Sequence, residues 1–289
     1  MRVLVAGSRG LIGTALVAAL TDAGHQVRRL VRGTGDYTWD PPSGRIDGKA
    51  FNDVGAVVNL CGSSMVTRWS AARKQMIADS RIEPTEVLAE AVAEHEIPVL
   101  VNASAVGYYG DRGDEVLDET ASRGEGFLAH LCEAWEAATA PAKRAGARVV
   151  HVRTGLVLSR RRGLLGLLKP LFRLGLGGRL GDGRQYLPWI SEHDEAAGIR
   201  FLIEHETLAG PVNLSGPEPV TNSQFTKALG RALNRPAPWR VPGFALEAVL
   251  GEAADELVLV SQRAVPAALR EAGYSFAHST VDAALAAVR

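Results

Sequence analysis

The strongest constraint on this chain lies at its start. A short apolar run, Val3-Leu4-Val5-Ala6, leads straight into Gly7-Ser8-Arg9-Gly10-Leu11-Ile12-Gly13. Beyond it, Leu16, Ala19, Leu20 and Ala23 recur at helical spacing, and Gly24 stands where that helix would stop. A strand that turns on glycine directly into a helix leaves unpaired backbone N–H groups at the helix N-terminus, with the helix dipole behind them. Glycines permit the tight turn and let an anion approach the backbone, which is how a dinucleotide pyrophosphate is held. The G-x-x-G-x-x-G spacing, in this strand–turn–helix setting, predicts a Rossmann βαβ unit.

The alternation continues. Short valine-rich runs at 3–6, 27–31, 56–60, 99–103 and 148–152 alternate with longer stretches of helical spacing. That pattern predicts an α/β protein built on a doubly wound parallel sheet. Pro84 interrupts the stretch 71–94 and predicts a kink or a fresh helix start. After residue 155 glycine, leucine and arginine mix irregularly through 163–183, a pattern that reads as a helix flanked by loops. Asn222 is placed to cap a helix through Leu233, followed by a proline-rich strand-like segment at 235–242 and helices near 245–259 and 281–288. The expected division is a nucleotide-binding core over 1–155, completed by about 186–215, and a smaller α/β substrate region from 156–185 and 216–289.

Composition removes several classes. Lys+Arg and Asp+Glu are 32 each, so no net field draws the chain to nucleic acid or an anionic membrane. Two cysteines, Cys61 and Cys132, make no disulfide or zinc framework and suit a reduced, cytoplasmic setting. Neither a signal peptide nor an apolar run of the ~18 residues needed to span a membrane is present. The expected partner is a small molecule, with no nucleic acid, membrane or metal.

Cofactor choice is written at the end of the second strand. An NAD site usually places Asp or Glu there for the ribose 2′-hydroxyl. Here the run is Arg28-Arg29-Leu30-Val31-Arg32, with no acid until Asp36. Arg32, with Arg9 on the turn, is suited to clamp a 2′-phosphate, so the expected cofactor is NADP(H).

With these features in hand, the chain resembles the extended short-chain dehydrogenase/reductase superfamily. Asn59-Leu60-Cys61-Gly62 is similar to its N-x-A-G element, with cysteine for alanine, and Ser104-Ala105-Val106-Gly107-Tyr108-Tyr109-Gly110 is similar to its S-S-x-x-V-Y-G element. Within the superfamily the likeness narrows to the "epimerase family protein" branch. Trp39-Asp40-Pro41, Arg68-Trp69, Lys74, Ser80-Arg81, Trp135-Glu136, Arg153-Thr154-Gly155, Gly181-Asp182-Gly183-Arg184-Gln185 and Trp189-Ile190 carry it. That branch is associated with nucleoside-diphosphate-sugar epimerases, carries a C-terminal domain of unknown function, and includes members linked to cell or plastid division. The resemblance implies NADP contacts at Val31, Arg32, Leu60, Cys61, Gly62, Arg81 and Val157, beside those at Gly7, Arg9, Gly10, Leu11, Ile12 and Gly13. Extended members are often dimers, so a homodimer is the assembly it implies.

One departure matters most. The superfamily places Tyr-x-x-x-Lys on the helix after the fifth strand, where the lysine lowers the tyrosine pKa for proton transfer. The corresponding stretch, Gly126-Phe127-Leu128-Ala129-His130-Leu131-Cys132-Glu133-Ala134-Trp135-Glu136, holds neither residue. The pair would fall on Phe127 and Leu131 or on Leu128 and Cys132. Ser104, Tyr108 and Tyr109 are then the expected catalytic groups, the two tyrosines pointing opposite ways if the chain there is extended. Gln185, Tyr186 and Trp189 are the expected substrate-pocket lining. The alternative is an NADP-binding regulator without turnover.

Overall fold

A computed structural model describes residues 1–160 and 163–288. Its first half runs β1 (Arg2–Ala6), α1 (Leu11–Asp22), β2 (Gln26–Val31), β3 (Tyr37–Asp40), β4 (Arg45–Ile46), β5 (Ala56–Asn59), α2 (Ala71–Glu94), β6 (Val99–Ala105), β7 (Val116–Leu117), α3 (Phe127–Ala137) and α4 (Ala140–Arg144). The second half continues β8 (Arg148–Thr154), β9 (Leu156–Leu158), α5 (Gly163–Arg173), β10 (Gly178–Leu180), β11 (Tyr186–Leu187), β12 (Trp189–Ser191), α6 (Glu192–Glu204), β13 (Gly210–Leu214) and α7 (Asn222–Leu233).

Eight strands make the central sheet, in the order β13-β8-β6-β5-β1-β2-β3-β4. All pairs are parallel except the edge pair β3–β4. Val3, Leu4, Val5, Ala56, Val57 and Val58 are fully buried, as continuous apolar strands require when helices cover both faces. On one face α1 and α6 pack Leu16, Leu20, Ile199 and Leu202 against Val3, Val5, Val58 and Val150. On the other, α2 brings Leu88 and Val92 against Leu4, Val57 and Leu100. Strand order reverses between β1 and β5, so a crevice opens at their carboxyl ends, the place where such sheets bind ligands.

A smaller lobe forms around Leu165, Phe172, Trp189, Phe225, Leu229 and Leu285. Three details differ from the sequence reading. Helix α2 runs as one element of 24 residues with Pro84 buried inside it, so no fresh helix starts there. The cap of α7 is Thr221, whose hydroxyl accepts from Gln224 N while the Gln224 side chain accepts from Thr221 N; Asn222 instead accepts from Leu180 N. The stretch 245–259 is broken at Gly251 (φ +61°) into Gly243–Leu250 and a separate segment from Glu252.

Candidate functional site

The glycine turn is built so that no other residue fits. Gly7 adopts φ +78°, and a Cβ there would lie 2.6 Å from the Leu60 carbonyl oxygen. A Cβ on Gly13 would lie 2.2 Å from the Gly7 carbonyl oxygen. Helix α1 begins at Gly10 with no side chain capping it, so its first-turn amides, Leu11 to Gly13, are left for a ligand. In the same turn Ser8 is buried with its Oγ unpartnered. A cradle too close for any Cβ, ending in a buried hydroxyl without a partner, fits a dinucleotide pyrophosphate.

At the adenine end, Arg32 follows β2 and is exposed, while Val31 is buried. Its charge reaches Asp40 and Cys61, which ties the ends of β2 and β5 into one electrostatic environment. Cys61 itself is no nucleophile, because burial pushes its thiol up to about 12. Arg9 and Val31 line a cavity of about 610 Å³ with Arg28, Arg29, Asp36 and Tyr37. A ribose phosphate set among these arginines would be held by several cations at once.

The floor behind β5 is a closed polar network. Asn59 donates to Asn102 and Thr85, both at 2.8 Å, and accepts from Cys61 N at 3.1 Å. Trp135 donates to Thr85 at 2.9 Å. This fixes the backbone that turns at Gly62. Arg81, 7 % exposed, lies against that turn and donates to Ile77 O and Ser63 O at 3.0 Å each. A Cβ on Gly62 would come within 3.1 Å of the Arg81 guanidinium carbon. Burial pulls the Arg81 pKa below the usual arginine value, and among the described residues no carboxylate pairs with it. Such a cation suits a cofactor phosphate or ribose.

The remaining NADP position joins this cleft from the other side. Val157 pairs with Ile190, and the Val157 carbonyl and the Leu11 side chain both lie within 3.7 Å of where Gly163 would carry a Cβ. Val157 thus sits beside the start of α1.

The proton-transfer region is where the structure corrects the expectations. Leu128 and Cys132, not Phe127 and Leu131, face the end of β6: a Cβ on Gly107 would lie 3.3 Å from Leu128 Cβ and 3.8 Å from Cys132 Sγ. Both are buried, and burial pushes Cys132 up to about 12. A buried leucine and a buried cysteine occupy the places of the missing tyrosine and lysine.

Ser104 is buried and donates to Glu136 Oε1 at 2.7 Å, in the seam between β6 and α3. Arg153 holds the same carboxylate with bonds of 2.9 and 3.0 Å. Tyr109 is fully buried, donates to Asn213 at 2.7 Å and accepts from Arg153 at 3.1 Å. Burial pushes its phenol up to about 12. In this arrangement Ser104 and Tyr109 each donate to a protein acceptor, Glu136 and Asn213. Tyr108 remains half-buried, its ring 3.5 Å from the Arg153 guanidinium. Both tyrosines belong to a 3-10 turn, Val106–Tyr109, and not to extended chain, so they meet edge-to-face on one arginine instead of pointing apart. His130 lies on the exposed side of α3.

Two of the three expected pocket residues are buried. Trp189 is 1 % exposed and donates to Glu218 O at 2.9 Å. Gln185 is buried and donates to Leu180 O and Val258 O at 3.1 and 3.2 Å, joining the lobe to the C-terminal segment, while its Oε1 is buried without a partner. Tyr186 stays half-buried beneath Arg263.

Sequence reasoning missed three features. The Glu136–Arg153 ion pair lay inside quoted motifs without a role. Glu195, fully buried against Thr154, carried no motif at all. Glu256 accepts from Phe127 N and Leu128 N at 2.8 and 2.7 Å, capping α3 from the far end of the chain. The room for it is made by Gly126, where a Cβ would meet the Glu256 carboxylate at 3.0 Å. Lys74 and Arg68 bind the same segment, at Glu252 and at Ala248 O. No helix of the described residues is long and apolar enough to cross a membrane, and no group of three or more metal-ligating side chains occurs among them.

Comparison with known proteins agrees with this geometry. Residues 3–215 match the model of the NAD dependent epimerase/dehydratase family, and residues 241–288 match a domain of unknown function. An epimerase family protein of Mycobacterium bovis is 54 % identical over 98 % of this chain and 96 % of its own length. A chloroplastic homologue from Arabidopsis thaliana is 35 % identical over 100 % of this chain and 86 % of its own. The crystal structure of the human epimerase family protein SDR39U1 with NADPH superposes with a TM-score of 0.92 at 33 % identity, covering 100 % of this chain and 99 % of that one. A UDP-N-acetylglucosamine 4-epimerase from Bacillus cereus shares the fold at 17 % identity and a TM-score of 0.79, over 100 % of this chain and 98 % of that one. The chain belongs to the NAD dependent epimerase/dehydratase family, among the epimerase family proteins of the extended short-chain dehydrogenase/reductase type.

Proposed function

We propose that the protein binds NADP(H) and uses it on a small polar carbonyl or sugar-like substrate, as an oxidoreductase or epimerase-type enzyme that works without a Tyr-x-x-x-Lys pair. The glycine cradle with its unpartnered Ser8 hydroxyl carries the reading. Arg32, in place of the acid that an NAD site uses, selects the phosphorylated cofactor. The NADPH in the human relative's structure supports the same choice. When bound, NADPH supplies a hydride equivalent at its nicotinamide.

The chain's own residues divide the remaining work. The α1 amides and Arg81 hold phosphate charge, Arg32 and Arg9 read the 2′-phosphate, and Leu60, Cys61, Gly62 and Val157 wall the cleft. Tyr108 is the phenol of the pair that keeps access to solvent. A fluorescence titration should show NADPH binding in clear preference to NADH. A carbonyl and sugar-nucleotide screen of NADPH oxidation, run beside Tyr108→Phe, then tests whether that phenol contributes. A second reading, a cofactor-binding regulator, is favoured by one observation: buried Leu128 and Cys132 stand where the proton-transfer pair would be. Tight NADPH binding with no oxidation across the screen would establish it over the first.

A further inference from the structure

We propose that Glu195, acting through Thr154, is the proton reserve of this site and replaces the absent tyrosine as the source of the substrate proton; the proposal rests on the reductive reading above. Glu195 lies in the first turn of α6 and is 0 % exposed. Its Oε1 accepts from Thr154 Oγ1 at 2.8 Å, and its Oε2 is buried with no partner. A lone carboxyl that has given up water for one hydrogen bond is costly unless it is neutral.

Nothing charged around it offsets burial. On its own helix, Asp194 is taken up by Ser191 and by the amides of Ala277 and His278, and Arg200 lies near Glu204. From the C-terminal tail, Tyr274 approaches, and its hydroxyl donates to Asp194 O. On β8, Arg153 is bound to Glu136 on the opposite face. Strands β6, β9 and β12 carry no ionisable side chain, and on α1 the one that does, Asp22, is exposed at the far end. Burial accordingly pushes Glu195 from 4.5 up to about 8, so it holds its proton at neutral pH.

Position supplies the other half of the argument. Thr154 ends β8, in register with Ala105 of β6 and Leu214 of β13, and it is only partly buried. A dinucleotide held by the β1–α1 turn and by Arg32 beyond β2 would leave its other end for the strands on the far side of β1, which are β5, β6 and β8. The Thr154 hydroxyl therefore stands between a sealed, protonated carboxyl and the reacting end of the cleft. When a carbonyl carbon takes up the hydride, its π pair moves to oxygen, which needs one proton. For that transfer the Thr154 hydroxyl, which otherwise donates to Oε1, turns and passes its hydrogen to that oxygen, while the Glu195 proton, now on Oε1, moves to Thr154 Oγ1. The products are the alcohol, NADP⁺ and a Glu195 carboxylate, which regains a proton from water through Thr154 once the alcohol leaves. Glu195 is thus a positioning residue, and Thr154 the group that meets substrate.

Glu195→Gln keeps the shape and the hydrogen bond but has no proton to give. With phenanthrenequinone as the carbonyl probe, E195Q and Thr154→Val should bind NADPH like wild type yet lose kcat by about a hundredfold or more, while Thr154→Ser retains it. Infrared spectra of the wild type at pH 7 should contain a protonated-carboxyl band that E195Q lacks and that fades as pH rises through about 8. Linkage fixes a further sign. A carboxyl raised from 4.5 to about 8 contributes stability that is complete below pH 4.5 and lost as pH rises through 8, so E195Q should flatten that loss in melting curves. Wild-type kcat in E195Q, or no Glu195 carboxyl band at pH 7, overturns the relay while leaving the reductive reading intact. A wild type that binds NADPH and reduces no probe overturns both, and is recognised by every variant being equally silent.

Discussion

The β1–α1 turn and the β6–α3 seam are the two halves of one cleft, and they have been treated in opposite ways. In the turn, every atom a dinucleotide needs is exposed or lacks a partner: bare helix amides and the Ser8 hydroxyl. In the seam the groups are bound to one another: Ser104 to Glu136, Glu136 to Arg153, Tyr109 to Asn213, with Leu128 and Cys132 packed where a proton-transfer pair would stand. A site that keeps polar groups unsatisfied is waiting for a ligand; one that satisfies them all is serving the fold. The contrast separates cofactor binding from proton supply within a single family architecture.

The sharpest way to break that contrast is in the seam. Glu136→Ala strands the buried Arg153 guanidinium and frees Ser104, and should cost about 3–5 kcal/mol of stability by chemical denaturation. If it instead left stability unchanged and altered only turnover, the seam would be functional after all. In the turn the effect should fall on affinity. Gly13→Ala drives a methyl against the Gly7 carbonyl and should weaken NADPH binding by a hundredfold, about 2.7 kcal/mol, with the circular dichroism of the sheet retained. Smaller again, Arg32→Ala should lower the NADPH preference over NADH by about tenfold, read from the ratio of the two titrations. Last, Glu256→Ala removes the cap of α3 and should cost about 1 kcal/mol in thermal melts, without altering cofactor affinity.

The same contrast explains what could be read in advance. Backbone needs are tied to residue type, so Gly7 and Gly13 announced the turn and the valine runs announced the parallel sheet. Arg32 was legible because it stands where an acid was expected. The α3 register was not, since Phe127/Leu131 and Leu128/Cys132 are both apolar pairs four residues apart, and only packing against Gly107 distinguishes them. Tyr108 and Tyr109 defeated the alternation rule because a 3-10 turn replaces the strand there. Gln185 and Trp189 are motif residues whose work is internal, which no motif reveals. Glu195 was invisible for a different reason: as one of three acids in the first turn of α6 it reads as a solvated residue until its burial is known.

The Glu256 contact has a consequence for how the molecule is made. The N-terminus of α3 receives its cap from a residue 129 positions downstream. Strands β1 and β2 pair across a short stretch of sequence, whereas α3 is not capped until residue 256 has been made. A product that stops short of Glu256 would leave the Phe127 and Leu128 amides without their acceptor. A residue far downstream therefore certifies that a much earlier helix is complete.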